Sequence, residues 1–175
     1  VKFYLQDPNS LSGDAAFRIF NTWITESSEE VLVDVADYNH VGHGPITLLI
    51  GHEANYSLDS DEGELGLLYA RKQPQEGDLS SRLVGVLNAA LNACRRLETA
   101  PELEHSVSFL GTRLKITAND RLYAPNTEEG ESALRATLDP ILNRLFAGEQ
   151  YAVERDETDG ERLNLNVRSE GDFTP

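Results

Sequence analysis

Residues 46–71 read ITLLIGHEANYSLDSDEGELGLLYAR and have the most regular pattern in the chain. Apolar side chains recur at every second position from Ile46 to Leu58, which is the period of a half-buried β-strand. Residues 59–63 (DSDEG) have the composition of a turn, and an apolar run resumes at Leu65. The stretch therefore predicts a long β-hairpin whose first strand spans the whole alternation, with its apolar face packed on helices.

This alternation divides the predicted strand into an apolar face and a polar face. His52 falls on the apolar face and is expected in the core, whereas Leu49 is the one apolar residue on the polar face. Three polar side chains project from the polar face at two-residue intervals, about 6 to 7 Å apart. Together with Tyr38 they form our predicted site for a small molecule or a protein partner. The three are Glu53, Asn55 and Ser57.

Three amphipathic segments predict helices. The first follows Ser12 as N-cap, the second follows Asp78, and the third opens at Asn126, where Glu129 resembles the far end of a capping box. Pro140 lies inside the third segment and should kink or split that helix, because its ring clashes with the preceding turn. The apolar stripes of the first two helices carry Trp23 and Cys94, respectively, both of which we expect to be buried.

Shorter apolar runs predict the remaining strands. Residues 107–110 and 113–117 flank Gly111-Thr112 and predict a hairpin, and Asp159-Gly160 predicts the turn of another hairpin. The other strands are predicted over residues 2–6, 30–38, 150–155 and 162–168. Because a helix separates the first two of these, they could form a β-α-β crossover and lie parallel.

These elements together predict an α+β fold, a two-layer sandwich with three helices and a mainly antiparallel sheet of seven or eight strands. We expect a single domain over residues 1–168, followed by a fraying tail at 169–175. Three helices can cover one face of such a sheet and little of the other. The second face is therefore expected to be polar, strongly curled, or an interface.

Composition excludes several classes of protein. The net charge of −15 and the isoelectric point near 4.5 oppose binding to nucleic acid, whose phosphates would be repelled. No apolar segment approaches the roughly 20 residues that span a bilayer, so no membrane partner is expected. The single cysteine cannot form an internal disulfide, and residues 1–9 lack the order of a secretory signal. We therefore expect a cytoplasmic protein.

A second candidate site lies in the loop that joins two predicted strands. Asp37, His40 and His43 are potential metal ligands there, and two histidines three residues apart can bind one ion. His52 should lie roughly 20 Å away along the strand and should not share that ion. A divalent metal is therefore left open as the cofactor, although an exposed polar turn is the ordinary interpretation of such a loop.

No catalytic motif accompanies these candidates. The sequence lacks the phosphate-binding loop, the dinucleotide fingerprint, the nucleophile elbow, C-x-x-C and H-E-x-x-H. The leading hypothesis is a non-catalytic binding, regulatory or accessory protein that uses the uncovered sheet face to bind a protein partner or a second copy, with a small molecule also open. The alternative is a metal-dependent hydrolase or lyase at the loop over residues 37–45, so enzymatic activity is left undecided.

Overall fold

The computed structural model describes residues 1–28, 30–41, 44–157 and 162–171. These residues form eight strands, three α-helices and one short 3₁₀-helix at Asp61–Gly63. The strands are β1 (Lys2–Leu5), β2 (Leu32–Asp37), β3 (Pro45–Gly51), β4 (Ala54–Asp59), β5 (Gly66–Arg71), β6 (Phe109–Ala118), β7 (Tyr151–Arg155) and β8 (Leu163–Ser169). The helices are α1 (Gly13–Glu26), α2 (Leu79–Glu98) and α3 (Glu128–Leu145).

The strands form one antiparallel sheet in the order β2-β3-β4-β5-β1-β6-β8-β7, which confirms the predicted α+β fold class. Strands β1 and β2 run in the same direction, because four antiparallel steps relate them. They are joined through α1 but are not adjacent, since three strands lie between them. Among the described helices, none is both long enough and apolar enough to cross a membrane.

The chain divides into two compact units. The first unit contains Lys2–Gln75 and Asn88–Leu110, and the second contains Glu76–Leu87 and the chain from Gly111 onward. The expected single domain over residues 1–168 stays a prediction.

The predicted long strand over residues 46–58 is wrong, because the chain reverses at His52 and Glu53 and forms two strands, β3 and β4. Leu49 lies opposite Tyr56 across this turn. Paired residues of neighbouring antiparallel strands have their side chains on the same face of the sheet. The face that carries the odd-numbered residues of β3 therefore carries the even-numbered residues of β4. His52 is accordingly an exposed turn residue and not a core histidine.

The two faces of the sheet in the first unit follow from this register. The first face carries Leu49, Tyr56 and Tyr69 in one row across β3, β4 and β5, all of them buried. The second face carries Leu48 and Ser57 in the row beside them. Leu49, the apparent exception in the sequence, is therefore a core residue with no exposed surface.

Helix α1 packs on the first face of this sheet. It begins where predicted, since the Ser12 side chain accepts a hydrogen bond from the Ala15 backbone N–H at 3.2 Å. Its buried stripe consists of Ala16, Ile19, Phe20 and Trp23. The Trp23 ring meets the Tyr56 ring edge-on, with 5.9 Å between centroids. The predicted burial of Trp23 is thus confirmed, as is that of Cys94 in α2.

In the second unit, the hairpin predicted at Gly111-Thr112 is wrong. Strand β6 runs through both residues without a turn and pairs with β8 from Arg113 to Ala118. Gly111 is not among the glycines with positive φ, so it does not adopt the backbone of a tight hairpin turn. The predicted pairing of residues 150–155 with 162–168 is confirmed by β7 and β8. The turn predicted at Asp159-Gly160 lies outside the described residues.

Helix α3 starts one residue later than the capping box predicts. Thr127 is the N-cap and accepts a hydrogen bond from the Gly130 N–H at 3.1 Å. Asn126 instead donates from its side chain to the Asp156 carbonyl at 3.2 Å. The helix continues through Pro140 to Leu145, so the proline does not split it.

Candidate functional site

Two residues of the predicted loop site, Asp37 and His40, lie at the end of β2 and just beyond it. The Asn39 N–H donates to Asp37 Oδ1 at 2.8 Å, and the rings of Tyr38 and His40 stack with 6.4 Å between centroids. Nowhere in the described chain do three His, Cys, Asp or Glu side chains converge as a metal site would require. His43, however, lies outside the described residues, so the metal site of Asp37, His40 and His43 stays a prediction.

The structure separates the residues of the predicted strand site. Glu53 lies in the turn after β3, and its Oε2 atom forms an ion pair with Arg71 Nη2 at 2.6 Å. Asn55 and Ser57 remain together on the second face of the sheet. The Asn55 Oδ1 atom is buried and accepts no hydrogen bond within the described chain. Glu53 therefore has a partner of its own, while Asn55 retains an unused acceptor.

A cleft of about 500 Å³ opens within the first unit, where the end of α1 meets the second half of α2. We call it the Trp23 cleft. Its apolar lining consists of Trp23, Leu32, Tyr56, Ala89 and Ala93. Its polar lining consists of Glu26, Ser27, Ser28, Glu30, Asn92 and Arg96.

The aromatic part of the Trp23 cleft is rigidly held. Trp23 is 4% exposed and Tyr56 is 9% exposed, and their rings are nearly perpendicular. Tyr69 supports Tyr56 from the next strand, with 5.0 Å between ring centroids. Edge-to-face contacts of this kind stabilise a fixed arrangement of rings. The cleft therefore presents a preformed aromatic surface.

Glu30 is oriented by Tyr56. The Tyr56 hydroxyl donates to Glu30 Oε2 at 2.6 Å, and the Ser27 hydroxyl donates to the Glu30 carbonyl at 2.5 Å. Burial raises the pKa of Tyr56 far above its ordinary value, and the hydrogen bond and charge of Glu30 raise it further. The hydroxyl therefore stays protonated at neutral pH and acts as a donor. No basic side chain of the described chain pairs with Glu30.

Arg96 occupies the opposite side of the cleft. Its guanidinium lies over the Trp23 ring at 4.6 Å from the centroid and donates to Glu26 Oε2 at 2.7 Å. Helix α1 ends at Glu26 and has no basic residue in its last turn. Arg96 thus places a positive charge near the C-terminus of α1, where a positive charge stabilises the helix. Its side chain is 38% exposed and that of Glu26 is 59% exposed, so the pair lies at the surface.

The lining of the Trp23 cleft supplies several kinds of polar group that can contact a ligand. The named lining contains two carboxylates, one guanidinium, an amide and hydroxyls, but no histidine, cysteine or lysine. The raised pKa of the Tyr56 hydroxyl keeps this group protonated at neutral pH, so it is not available there as a general base. What the residues offer is an aromatic surface and a carboxylate held in a fixed orientation.

Little in the sequence indicates this cleft. Its pattern singles out only Trp23 among the lining residues, and it does not mark Glu26, Glu30 or Arg96 as site residues. Spacing offered a weak signal, since Trp23 and Glu26 are three residues apart and Asn92 and Arg96 are four apart, which places each pair on one helix face. Nothing in the sequence shows that these two faces meet.

No protein-family model, curated protein or solved structure matches this chain. Its function is therefore argued from the chemistry of its own residues. The Trp23 cleft provides the most complete set of them, because it combines a defined volume, a rigid aromatic surface and an oriented carboxylate.

Proposed function

We propose that this protein is a non-catalytic binding protein and that the Trp23 cleft is its ligand site. The observation that carries the proposal is the Glu30 carboxylate, which Tyr56 orients at the cleft and which no basic side chain of the described chain neutralises. A volume of about 500 Å³ is within the range of small-molecule sites, which are largely apolar with a few placed polar groups.

The second face of the sheet supports a subsidiary part of this proposal. Leu48 and Ile50 are half-buried there, beside Asn55 with its unused acceptor. A protein partner or a second copy of the chain on this face would make the protein an accessory subunit. We also place its activity in the cytoplasm, which is consistent with a single, buried cysteine.

The metal-enzyme alternative has no support from the described residues. It depends on His43, and it stays a prediction that elemental analysis of the purified protein would test. A stoichiometric metal that is lost in a His40→Ala/His43→Ala double variant would establish it. A metal-free protein whose melting temperature does not respond to zinc or manganese would remove it.

The proposal is tested by NMR titration of ¹⁵N-labelled protein with a panel of small polar cations, anions and neutral amides. Trp23 is the only tryptophan, so its indole N–H gives one unambiguous signal from the cleft. We expect at least one class of compound to shift that signal and the Asn92 side-chain signals together. If no compound of any class shifts them, the proposed function is wrong.

A further inference from the structure

The Trp23 cleft carries more negative than positive charge. Glu26 and Glu30 contribute two carboxylates, and Arg96 contributes the single positive charge among the lining residues. The carbonyl groups at the end of α1 add partial negative charge, because a helix C-terminus is the negative end of its dipole. The cleft is therefore unfavourable for an anion and favourable for a cation.

Arg96 shows which cation the cleft accommodates. Its planar guanidinium lies on the Trp23 ring and donates to a carboxylate, which is how a guanidinium is commonly bound in proteins. The pair it forms with Glu26 is solvent-exposed, and exposed pairs contribute little stability. Arg96 can therefore be displaced from this position at low cost.

We propose that the Trp23 cleft binds a guanidinium or alkylammonium group on Glu30, and that Arg96 competes with that group for Trp23 and Glu26. This inference rests on the proposed function and names its ligand class. The cation is either a free small molecule or a basic side chain of a bound peptide. Glu30 accepts its N–H groups, and the carbon stem lies along the alanines of α2, Ala89 and Ala93.

Tyr56 prepares Glu30 for this role. Its hydroxyl donates to Oε2, which keeps the side chain in one orientation and leaves Oε1 without a donor among the described residues. Pre-orientation reduces the entropy that is lost when a ligand binds. Asn92, which is exposed on the same side of α2 as Arg96, can accept a further hydrogen bond through its amide oxygen.

The first experiment measures affinity by Trp23 fluorescence and calorimetry with ethylguanidinium and ethylammonium. Ethylurea serves as the neutral control and acetate as the anionic control. We expect binding by the cations alone. Glu30→Gln should weaken it about tenfold or more, because a charge-assisted hydrogen bond is lost. Glu104→Gln removes the same charge from an exposed position outside the cleft and should leave the affinity nearly unchanged.

The second experiment tests the competition. Arg96→Gln should bind the cations more tightly than the wild type, because Trp23 and Glu26 become free. Arg18→Gln removes a positive charge from an exposed position on α1 and controls for the change in overall charge. A loss of affinity in Arg96→Gln, or an equal gain in Arg18→Gln, would overturn the competition.

For the first experiment, Glu26→Gln provides a second variant with one carboxylate fewer in the cleft if Glu30→Gln does not fold.

The outcomes separate this inference from the proposed function. If neutral amides or acetate bind the cleft and the cations do not, the inference is wrong and the proposed function stands. If nothing binds, both are wrong. A free small molecule and a peptide can both supply this cationic group, and two further probes distinguish them.

If agmatine and an arginine-containing pentapeptide bind the protein with equal affinity, the cation is a free small molecule. If the pentapeptide binds much more tightly, the cation is a side chain of a partner.

Discussion

Tyr56 links the core of the first unit to the Trp23 cleft. Its ring packs between those of Trp23 and Tyr69, while its hydroxyl holds Glu30. One residue thus connects the packing of the sheet with the orientation of the candidate binding group. A change at this position should therefore affect both stability and binding.

The raised pKa of Tyr56 predicts a loss of stability in base. Its unfolded pKa is about 10.0, and burial raises the folded value above that, so the folded state holds the proton more tightly. The stabilising contribution is fully present below pH 10 and is lost as the pH rises toward the folded pKa. Urea denaturation between pH 7 and 11 measures this loss.

Tyr56→Phe is the variant that isolates this effect. It removes the ionisable hydroxyl, so we expect a shallower fall in the free energy of unfolding above pH 10. At pH 7 the variant should lose about 1.5 to 3 kcal/mol, the usual range for a hydrogen bond to a charged group. An equally steep fall in the variant would show that other groups cause the base sensitivity.

A buried ion pair provides a second test at the residue scale. Lys2 Nζ lies 2.8 Å from Asp59 Oδ1, and both side chains are almost completely buried. Lys2→Met or Asp59→Leu alone should destabilise the fold by about 3 to 5 kcal/mol, because one charge stays buried without its partner. The Lys2→Met/Asp59→Leu double variant should recover most of the loss. Additive losses in thermal unfolding would contradict this account.

At the element scale, the turn between β3 and β4 explains both a correct and an incorrect prediction. The alternation of residues 46–58 indicated β-structure correctly, but a two-residue turn leaves the alternation intact while it exchanges the faces. Neither Asn-Gly nor Asp-Gly marks this turn. The opposite holds in β6, where Gly111 predicts a turn and the strand is continuous. The two differences offset each other, and the predicted number of strands is correct.

Gly51 is the residue that this turn requires. A Cβ atom at Gly51 would lie 2.6 Å from the Ala54 carbonyl oxygen and 3.2 Å from Glu30 Oε1. Gly51→Ala should therefore destabilise the protein by about 1 to 3 kcal/mol. His52→Ala, at the exposed next position, should stay within about 0.5 kcal/mol of the wild type. Equal melting temperatures for the two variants would exclude a tight turn here.

At the scale of the whole molecule, the sequence predicted the fold better than the site. Periodicity and caps are local, so the three helices and most strands could be located from them. The Trp23 cleft brings together residues from strands β2 and β4, from helices α1 and α2, and from the segment between α1 and β2. Which of their polar residues meet depends on the packing of those elements, and no local pattern contains that information. Residue type does not distinguish Glu26 and Glu30 either, because acidic residues are common throughout this chain.

The net charge of −15 predicts how a cationic ligand reaches the cleft. A negative surface attracts cations and accelerates their association, and salt screens this attraction. For a basic peptide that binds the cleft, we expect the association rate to fall steeply between 10 and 500 mM NaCl, concentrations at which the screening length decreases from about 30 Å to a few ångströms. Stopped-flow measurement of Trp23 fluorescence gives this rate. A rate independent of salt would contradict electrostatic steering.

The most direct test of cation binding in the Trp23 cleft is the position of bound ethylguanidinium, obtained from intermolecular nuclear Overhauser effects on isotope-labelled protein. We expect contacts from the ethyl protons to the ring protons of Trp23 and Tyr56. Contacts only to the methyl groups of Leu48 and Ile50 would place the ligand on the second face of the sheet and contradict the assignment of the Trp23 cleft.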